Sequence, residues 1–162
     1  MSSSPSTSPA RVILAPDRTT QITGKSIFLA GSIDMGAAID WQAATISALA
    51  DRPITILSPR RAHWDASWPQ DVAFAPFREQ VEWELDMLDR ADVIMLFFAG
   101  GSKSPISLLE LGLYAGSKRV VVGCPADFYR RGNVQIVCER FGVEMVESFE
   151  ELLKAAEHRL EA

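Results

Sequence analysis

Cysteine and histidine are scarce in this chain, and neither is spaced to bind a metal ion. The 162 residues include two cysteines, Cys124 and Cys138, and two histidines. Two cysteines are too few for a disulfide framework, so both are expected to be buried, reduced thiols in a cytoplasmic protein. His63 has no second histidine or carboxylate cluster at ligand spacing. We therefore expect no metal site.

Long apolar runs and clustered basic residues are also missing. No apolar run reaches the roughly 18 residues that span a bilayer, and residues 1–9 are rich in serine and proline without the apolar centre of a signal peptide. Acidic residues outnumber basic ones, 21 to 16, for a net charge of -5. That balance is unfavourable for binding a nucleic acid polymer. The expected ligand is a small molecule, and no membrane partner is expected.

The usual nucleotide-binding and serine-hydrolase motifs are absent. Gly31–Ser32 and Gly100–Ser102 have the composition of turns that approach a phosphate, yet the chain contains neither GxGxxG nor GxxxxGK[ST]. It also lacks the GxSxG nucleophile elbow. The sequence thus predicts no dinucleotide cofactor, and no other cofactor is indicated.

Apolar segments that alternate with helical patterns indicate the fold. Strands are predicted at residues 25–30, 53–57, 91–98, 119–123 and 143–146. Helices are predicted at residues 35–49, 77–90, 106–117, 127–140 and 149–160. Parallel strands joined by right-handed helical crossovers give an α/β fold with a five-stranded, doubly wound sheet of flavodoxin-like order 2-1-3-4-5 in three layers.

The length and composition suit one domain. With 48% hydrophobic residues the chain can bury a substantial core. We expect residues 1–10 to form a disordered leader and residues 11–162 to form a single domain. Residues 11–23 contain one short apolar patch, Val12–Leu14, and are expected to lie over the domain as a strand or an arm.

One carboxylate stands out at the expected ligand site. In a doubly wound sheet the ligand lies beyond the carboxyl ends of the strands, at the switch point between the first and third of the predicted strands. That point corresponds to residues 31–34 and 99–110. Glu110 lies there among apolar residues, where burial disfavours its charge and the nearby helix amino terminus favours it. A catalytic role, exposure at the surface and a structural hydrogen bond all fit this pattern.

A second candidate region is the long polar and aromatic segment at residues 60–76. Its Arg60, Arg61 and Trp64 are suited to stack on a heterocycle and to bind its polar edges. The alternative is a loop that covers an apolar edge or lines a subunit contact.

Four pieces of the sequence together resemble the nucleoside 2-deoxyribosyltransferase family, in its branch of short bacterial proteins. They are Lys25–Ser32, Ser58–Arg61, Glu84–Asp92 and Leu108–Gly112. The likeness extends over roughly residues 25–123.

The resemblance implies a covalent mechanism. Glu110, in a Glu-Leu-Gly motif, would attack the anomeric carbon of a nucleoside and hold the sugar as an ester until an acceptor base takes it. Glu84 falls where the family has a catalytic aspartate. Ser104 falls where the family has another aspartate, and a serine cannot serve there as a carboxylic acid or base.

The resemblance also implies a pocket and an oligomer. The pocket would be formed by residues of two loops: Gly31, Ser32, Asp34, Arg60, Arg61 and Trp64. Because family members complete their sites with residues of a neighbouring subunit, a homodimer or an assembly of dimers is implied. The helix at residues 77–90 is expected to contribute to that contact.

Other functions remain compatible with the sequence. A hydrolase of the same bond, in nucleosides or nucleoside monophosphates, would let water resolve the ester. Serine side chains that could bind its phosphate are Ser32, Ser102, Ser104 and Ser107. A non-catalytic nucleotide-binding or sensing module and a flavodoxin-like electron carrier would share the fold. Deoxyribosyl transfer between a nucleoside and a free base is the favoured interpretation.

Overall fold

The computed structural model describes residues 8–32 and 40–162 as alternating strands and helices. The strands are β1 (Arg11–Leu14), β2 (Ser26–Gly31), β3 (Thr55–Ser58), β4 (Val93–Phe97), β5 (Val120–Gly123) and β6 (Glu144–Val146). The helices are α1 (Trp41–Ala48), α2 (Ala75–Arg90), α3 (Pro105–Tyr114), α4 (Arg131–Phe141) and α5 (Phe149–Glu161). A short 3-10 helix, Ala115–Ser117, follows α3.

The strands form one parallel sheet in the order β1-β3-β2-β4-β5-β6. The α/β class, the parallel sheet and the flanking helices are confirmed. The prediction of five strands is wrong, because β1 adds a sixth strand beside β3, paired from Arg11 with Thr55 to Leu14 with Ser58. Only Ile13 of β1 is buried. The apolar patch Val12–Leu14, which was expected to be a strand or an arm, forms this edge strand, but three apolar residues are too short a run to assign it to the sheet.

Side chains of the central strands alternate between two apolar cores. Phe28 of β2 packs with Trp83 of α2 on one face, where α3 and α4 also contribute. Ile27 and Leu29 of the same strand pack on the opposite face with residues of α1 and α5. The sheet is therefore covered on both sides, as its parallel strands require. Helices α2 and α3, which carry Glu84 and Glu110, cover the same face.

Some predicted boundaries differ from the structure at helix starts. Helix α4 begins at Arg131, because turns occupy the preceding residues, with the N–H of Phe128 donating to the carbonyl of Pro125 at 3.2 Å. The first predicted helix began at residue 35, but residues 33–39 lie outside the described part. Of the predicted leader, residues 1–7 also lie outside it, whereas the N–H of Ala10 donates to the carbonyl of Ala50 at 2.8 Å.

The carboxyl ends of β2 and β4 approach so closely that a glycine is required. Gly31 has a φ of 142°, and an added Cβ would lie 2.3 Å from the carbonyl oxygen of Phe97. This approach shapes the switch point at which a ligand site is expected. Within residues 8–32 and 40–162, no helix combines the length and apolarity needed to cross a membrane.

Candidate active site

Glu110 is the buried carboxylate of helix α3. The helix begins with Pro105 in its first turn, after Ser104 in a left-handed conformation (φ 45°). The Glu110 residue is 9% exposed. Its Oε2 atom is buried and has no hydrogen-bond partner among the described residues. A buried acceptor without a partner is costly, so this oxygen is available to a ligand donor.

Glu84 of α2 lies close enough to Glu110 for their charges to interact. Burial, followed by the charge of Glu84, raises the pKa of Glu110 to about 8. Burial also raises the pKa of Glu84, while a hydrogen bond from Gln80 lowers it. Two neighbouring carboxylates, of which Glu110 is buried and Glu84 is partly buried, do not both ionise readily near neutral pH. The pair can therefore supply one ionised and one protonated group.

Gln80, one turn before Glu84, is a site residue that the sequence reasoning missed. Its Nε2 atom donates to the carbonyl of Pro59 at 2.8 Å and to Glu84 Oε1 at 3.1 Å. The spacing of residues in α2 could have identified Gln80 from the sequence. Gln80, Trp83 and Met87 are spaced at i, i+3 and i+7 and form the buried stripe of α2, so a polar side chain occupies an inward position.

A cluster of serine hydroxyls joins the end of β2 to the loop before α3. The Ser32 Oγ atom accepts from the Ala99 N–H at 2.9 Å and lies 2.9 Å from Ser102 Oγ. Ser104 Oγ is hydrogen-bonded to Ser32 Oγ and lies 2.8 Å from Ser102 Oγ. Ser107 is buried on α3. These hydroxyls hold the backbone at the switch point, and Asp34 falls outside the described residues.

Arg60 and Arg61 line a cavity of about 370 Å³ beside α1. Arg60 Nε donates to Gln42 Oε1 at 2.9 Å, and its guanidinium pairs with Asp40 at 3.2 Å. Arg61 pairs with Glu79 at 2.8 Å. The described residues that line this cavity are Leu14, Asp40, Gln42, Ala43, Ile46, Ser58, Arg60, Arg61 and Ala62. Glu110 is not among them, so the structure gathers the arginines at the same sheet edge without bringing them against Glu110.

Trp64 belongs to an aromatic cluster in the loop between β3 and α2. Its ring meets that of Trp68 edge-on, with centroids 5.1 Å apart, and Trp68 also packs against Phe74 at 5.7 Å. The Arg61 guanidinium lies 5.3 Å from the centroid of Trp68. Trp64 remains 40% exposed. The loop is thus packed on itself, with the Trp64 ring accessible to a ligand or a partner.

The cysteines are placed as packing residues. Cys124 and Cys138 are both buried, and burial raises the pKa of each thiol to about 11. Neutral thiols of this kind are poor nucleophiles. In the described ranges, 8–32 and 40–162, no three His, Cys, Asp or Glu side chains are grouped to hold a metal ion.

Comparisons with known proteins give a family for most of this chain and a structure with a similar fold. Residues 24–128 match a protein family described as nucleoside 2-deoxyribosyltransferase like. No curated protein sequence matches the chain. The crystal structure of a conserved protein from Enterococcus faecalis V583 is similar with a TM-score of 0.60 and 16% sequence identity, over 85% of this chain and 99% of that one. This likeness to a solved structure shows the fold alone.

Proposed function

Because this chain belongs to the nucleoside 2-deoxyribosyltransferase-like family, we propose that it is an enzyme of the N-glycosidic bond with Glu110 as nucleophile. The observation that carries the proposal is the buried, unpartnered Oε2 atom of Glu110, next to the second carboxylate, Glu84. A carboxylate that stabilises the fold would have its donors in the protein. One that serves chemistry keeps an oxygen for the substrate.

The proposed reaction has two half-reactions. In the first, a Glu110 oxygen forms a bond to the anomeric carbon while the C–N bond breaks, and its electron pair leaves with the base. In the second, a ring nitrogen of an acceptor base attacks the same carbon, and Glu110 is released as a carboxylate. The sugar configuration is retained, as in glycosidases that use a carboxylate nucleophile.

The carboxylate pair would manage the protons of this reaction. Glu110 must be ionised to attack, although its pKa is raised to about 8 in the protein without substrate. Sugar hydroxyls that donate to Oε2 would favour the ionised form. Glu84 is the group we assign to proton transfer with the departing and arriving bases, because Ser104 offers no carboxyl group.

The substrate is proposed to lie at the carboxyl ends of β2 and β4. Gly31, Ser32 and Asp34 would contact the sugar, and Ser104 and Ser107 would flank it at the start of α3. Arg60, Arg61 and Trp64 would close over the base.

Hydrolysis of the same bond is the second candidate function. One observation favours it: three serine hydroxyls lie at the switch point where a carboxylate would be expected at position 104. Hydroxyl groups near a helix amino terminus suit the phosphate of a nucleoside monophosphate. Water would then resolve the ester in place of an acceptor base.

We also propose a homodimer, or an assembly of dimers, as the working form. The outer face of α3 supports it, since Ile106, Leu109 and Leu113 are exposed there at 57%, 59% and 55%. Leu85 of α2 is also exposed. A second copy related by a two-fold axis would cover such a self-complementary apolar face.

The decisive experiment is chromatography of the protein with each 2′-deoxynucleoside, with and without a different free base. Glu110→Gln is the test variant, and Glu139→Gln, at an exposed site on α4, is the matched control. We expect a new nucleoside from the wild type and the control. Turnover by Glu110→Gln should fall about a thousandfold or more, with the fold intact.

Other outcomes assign a different function. Free base without a new nucleoside would identify a hydrolase, and nucleoside monophosphates belong in the same series for that reason. Binding without turnover in any mixture would contradict the enzyme and indicate a nucleotide-binding or sensing module.

A further inference from the structure

Gln80 is a polar side chain in an apolar position. It is 5% exposed and shares the buried stripe of α2 with Trp83 and Met87. Its Oε1 atom is buried and has no hydrogen-bond partner among the described residues. An apolar side chain of similar volume would avoid this unsatisfied acceptor. The presence of Gln80 is therefore better explained by the hydrogen bonds that its Nε2 atom donates than by a contribution to the stability of the core.

The orientation of the Gln80 amide is fixed by its neighbours. Nε2 donates to the Pro59 carbonyl at 2.8 Å and to Glu84 Oε1 at 3.1 Å. An amide nitrogen has two hydrogens, so both are used. Rotating the amide by half a turn would place its oxygen against two acceptors. The donor end must therefore face Glu84.

These two hydrogen bonds join parts of the site that are distant in sequence. Pro59 follows β3 and immediately precedes Arg60 and Arg61. Glu84 lies on α2, close enough to Glu110 of α3 for their charges to interact. The amide thus links the start of the arginine-bearing loop to the carboxylate pair.

We infer that Gln80 is a positioning residue for the reaction: its amide holds the Glu84 carboxylate towards Glu110 and anchors the loop that carries Arg60 and Arg61. The inference rests on the proposed function for the chemical role of Glu84. Glu84 is only partly buried, so without a donor its flexible side chain is free to turn towards solvent. A carboxylate displaced in this way would be badly placed for proton transfer.

A double-mutant cycle tests the inference. Gln80→Met removes both hydrogen bonds while keeping the shape of the side chain, and Gln135→Met, at an exposed site on α4, is the matched control. In the wild-type background we expect kcat of Gln80→Met to fall about tenfold to a hundredfold through the loss of the contact with Glu84. KM should increase through the loss of the contact with Pro59, and thermal stability should be kept.

The background with Glu84→Gln gives the discriminating result. If Gln80 acts through Glu84, adding Gln80→Met to Glu84→Gln should lower kcat by less than about twofold. Multiplicative effects of the two substitutions would overturn the inference. So would a loss of activity that only follows a loss of stability.

A measurement without turnover separates this inference from the proposed function. If the wild type transfers or hydrolyses no nucleoside, the proposed function fails. The role of Gln80 is then tested by NMR titration of the carbon-13-labelled Glu84 carboxyl group. Loss of the amide donor should raise the Glu84 midpoint in Gln80→Met and leave it unchanged in Gln135→Met. An unchanged midpoint in Gln80→Met would overturn the inference.

Discussion

At the residue scale, the protonation of Glu110 determines how activity should depend on pH. Its pKa is raised to about 8 by burial and by Glu84, and its ionised form is the proposed nucleophile. We therefore expect kcat/KM to increase as the pH rises through about 8, because Glu110 ionises in that range. The pH profile of kcat/KM, which reports the free enzyme, measures this. A profile that is flat between about pH 6 and 9 would contradict the raised pKa.

The same residue should make stability depend on pH. The folded-state pKa of about 8 lies above the ordinary 4.5, so the folded protein retains a proton that the unfolded chain releases. This contribution to the free energy of unfolding is complete below pH 4.5 and is lost as the pH rises to 8. A few kcal/mol should be lost across that interval.

Urea unfolding at about pH 5 and pH 8.5 tests the stability prediction. In Glu110→Gln the loss of stability between the two values should be smaller than in the wild type, because no charge forms at that site. Glu139→Gln, on the exposed face of α4, should behave as the wild type does. Equal losses in all three proteins would show that Glu110 does not carry the effect.

At the element scale, the approach of β2 to β4 depends on Gly31. An alanine Cβ there would lie 2.3 Å from the Phe97 carbonyl oxygen, at a φ of 142°. We expect Gly31→Ala to destabilise the protein by about 2 kcal/mol or more. Gly132→Ala in α4 is the control, since nothing lies within 4 Å of its Cβ. Thermal unfolding should show a clear decrease for Gly31→Ala alone. Similar unfolding temperatures for both variants would show that β2 and β4 can move apart to accommodate the added Cβ.

The elements also show what could be predicted from the sequence. The strands β2, β4 and β5 were predictable because both faces are buried, which gives continuous apolar runs. Strand β1 was not identifiable as part of the sheet, because only Ile13 points into the core. The start of α4 was placed four residues early, since hydrogen-bonded turns before Arg131 have no distinct apolar period.

Only part of the candidate site was predictable from the sequence. Glu110 attracts attention because a charge among apolar residues is costly. Gln80 is uncharged and its contact with Glu84 has the ordinary i, i+4 spacing of a helix, but its contact with Pro59 is one that no local pattern specifies. Residues such as Pro59 and Gln80 come together only when the chain folds, so their contact cannot be predicted from their positions in the sequence.

At the scale of the whole molecule, the apolar outer face of α3 should determine the oligomeric state. Leu109 is 59% exposed and lies between Ile106 and Leu113 on that face. Burying these side chains against a second copy would stabilise the dimer by removing apolar surface from water. We expect light scattering after gel filtration to give twice the monomer mass, or a higher even multiple.

Leu109→Glu should dissociate that dimer, because it places a charge at the centre of the contact, related by the two-fold axis to its own copy. Ile136→Glu on α4 is the matched control, since that side chain is 66% exposed on a different helix. The control should keep the wild-type mass.

If the α3 contact also completes the active site, Leu109→Glu should lose activity in parallel with dissociation and regain it at high protein concentration. A monomeric wild type would contradict the proposed dimer. Dissociation caused by Ile136→Glu would indicate that the contact involves α4 and not α3.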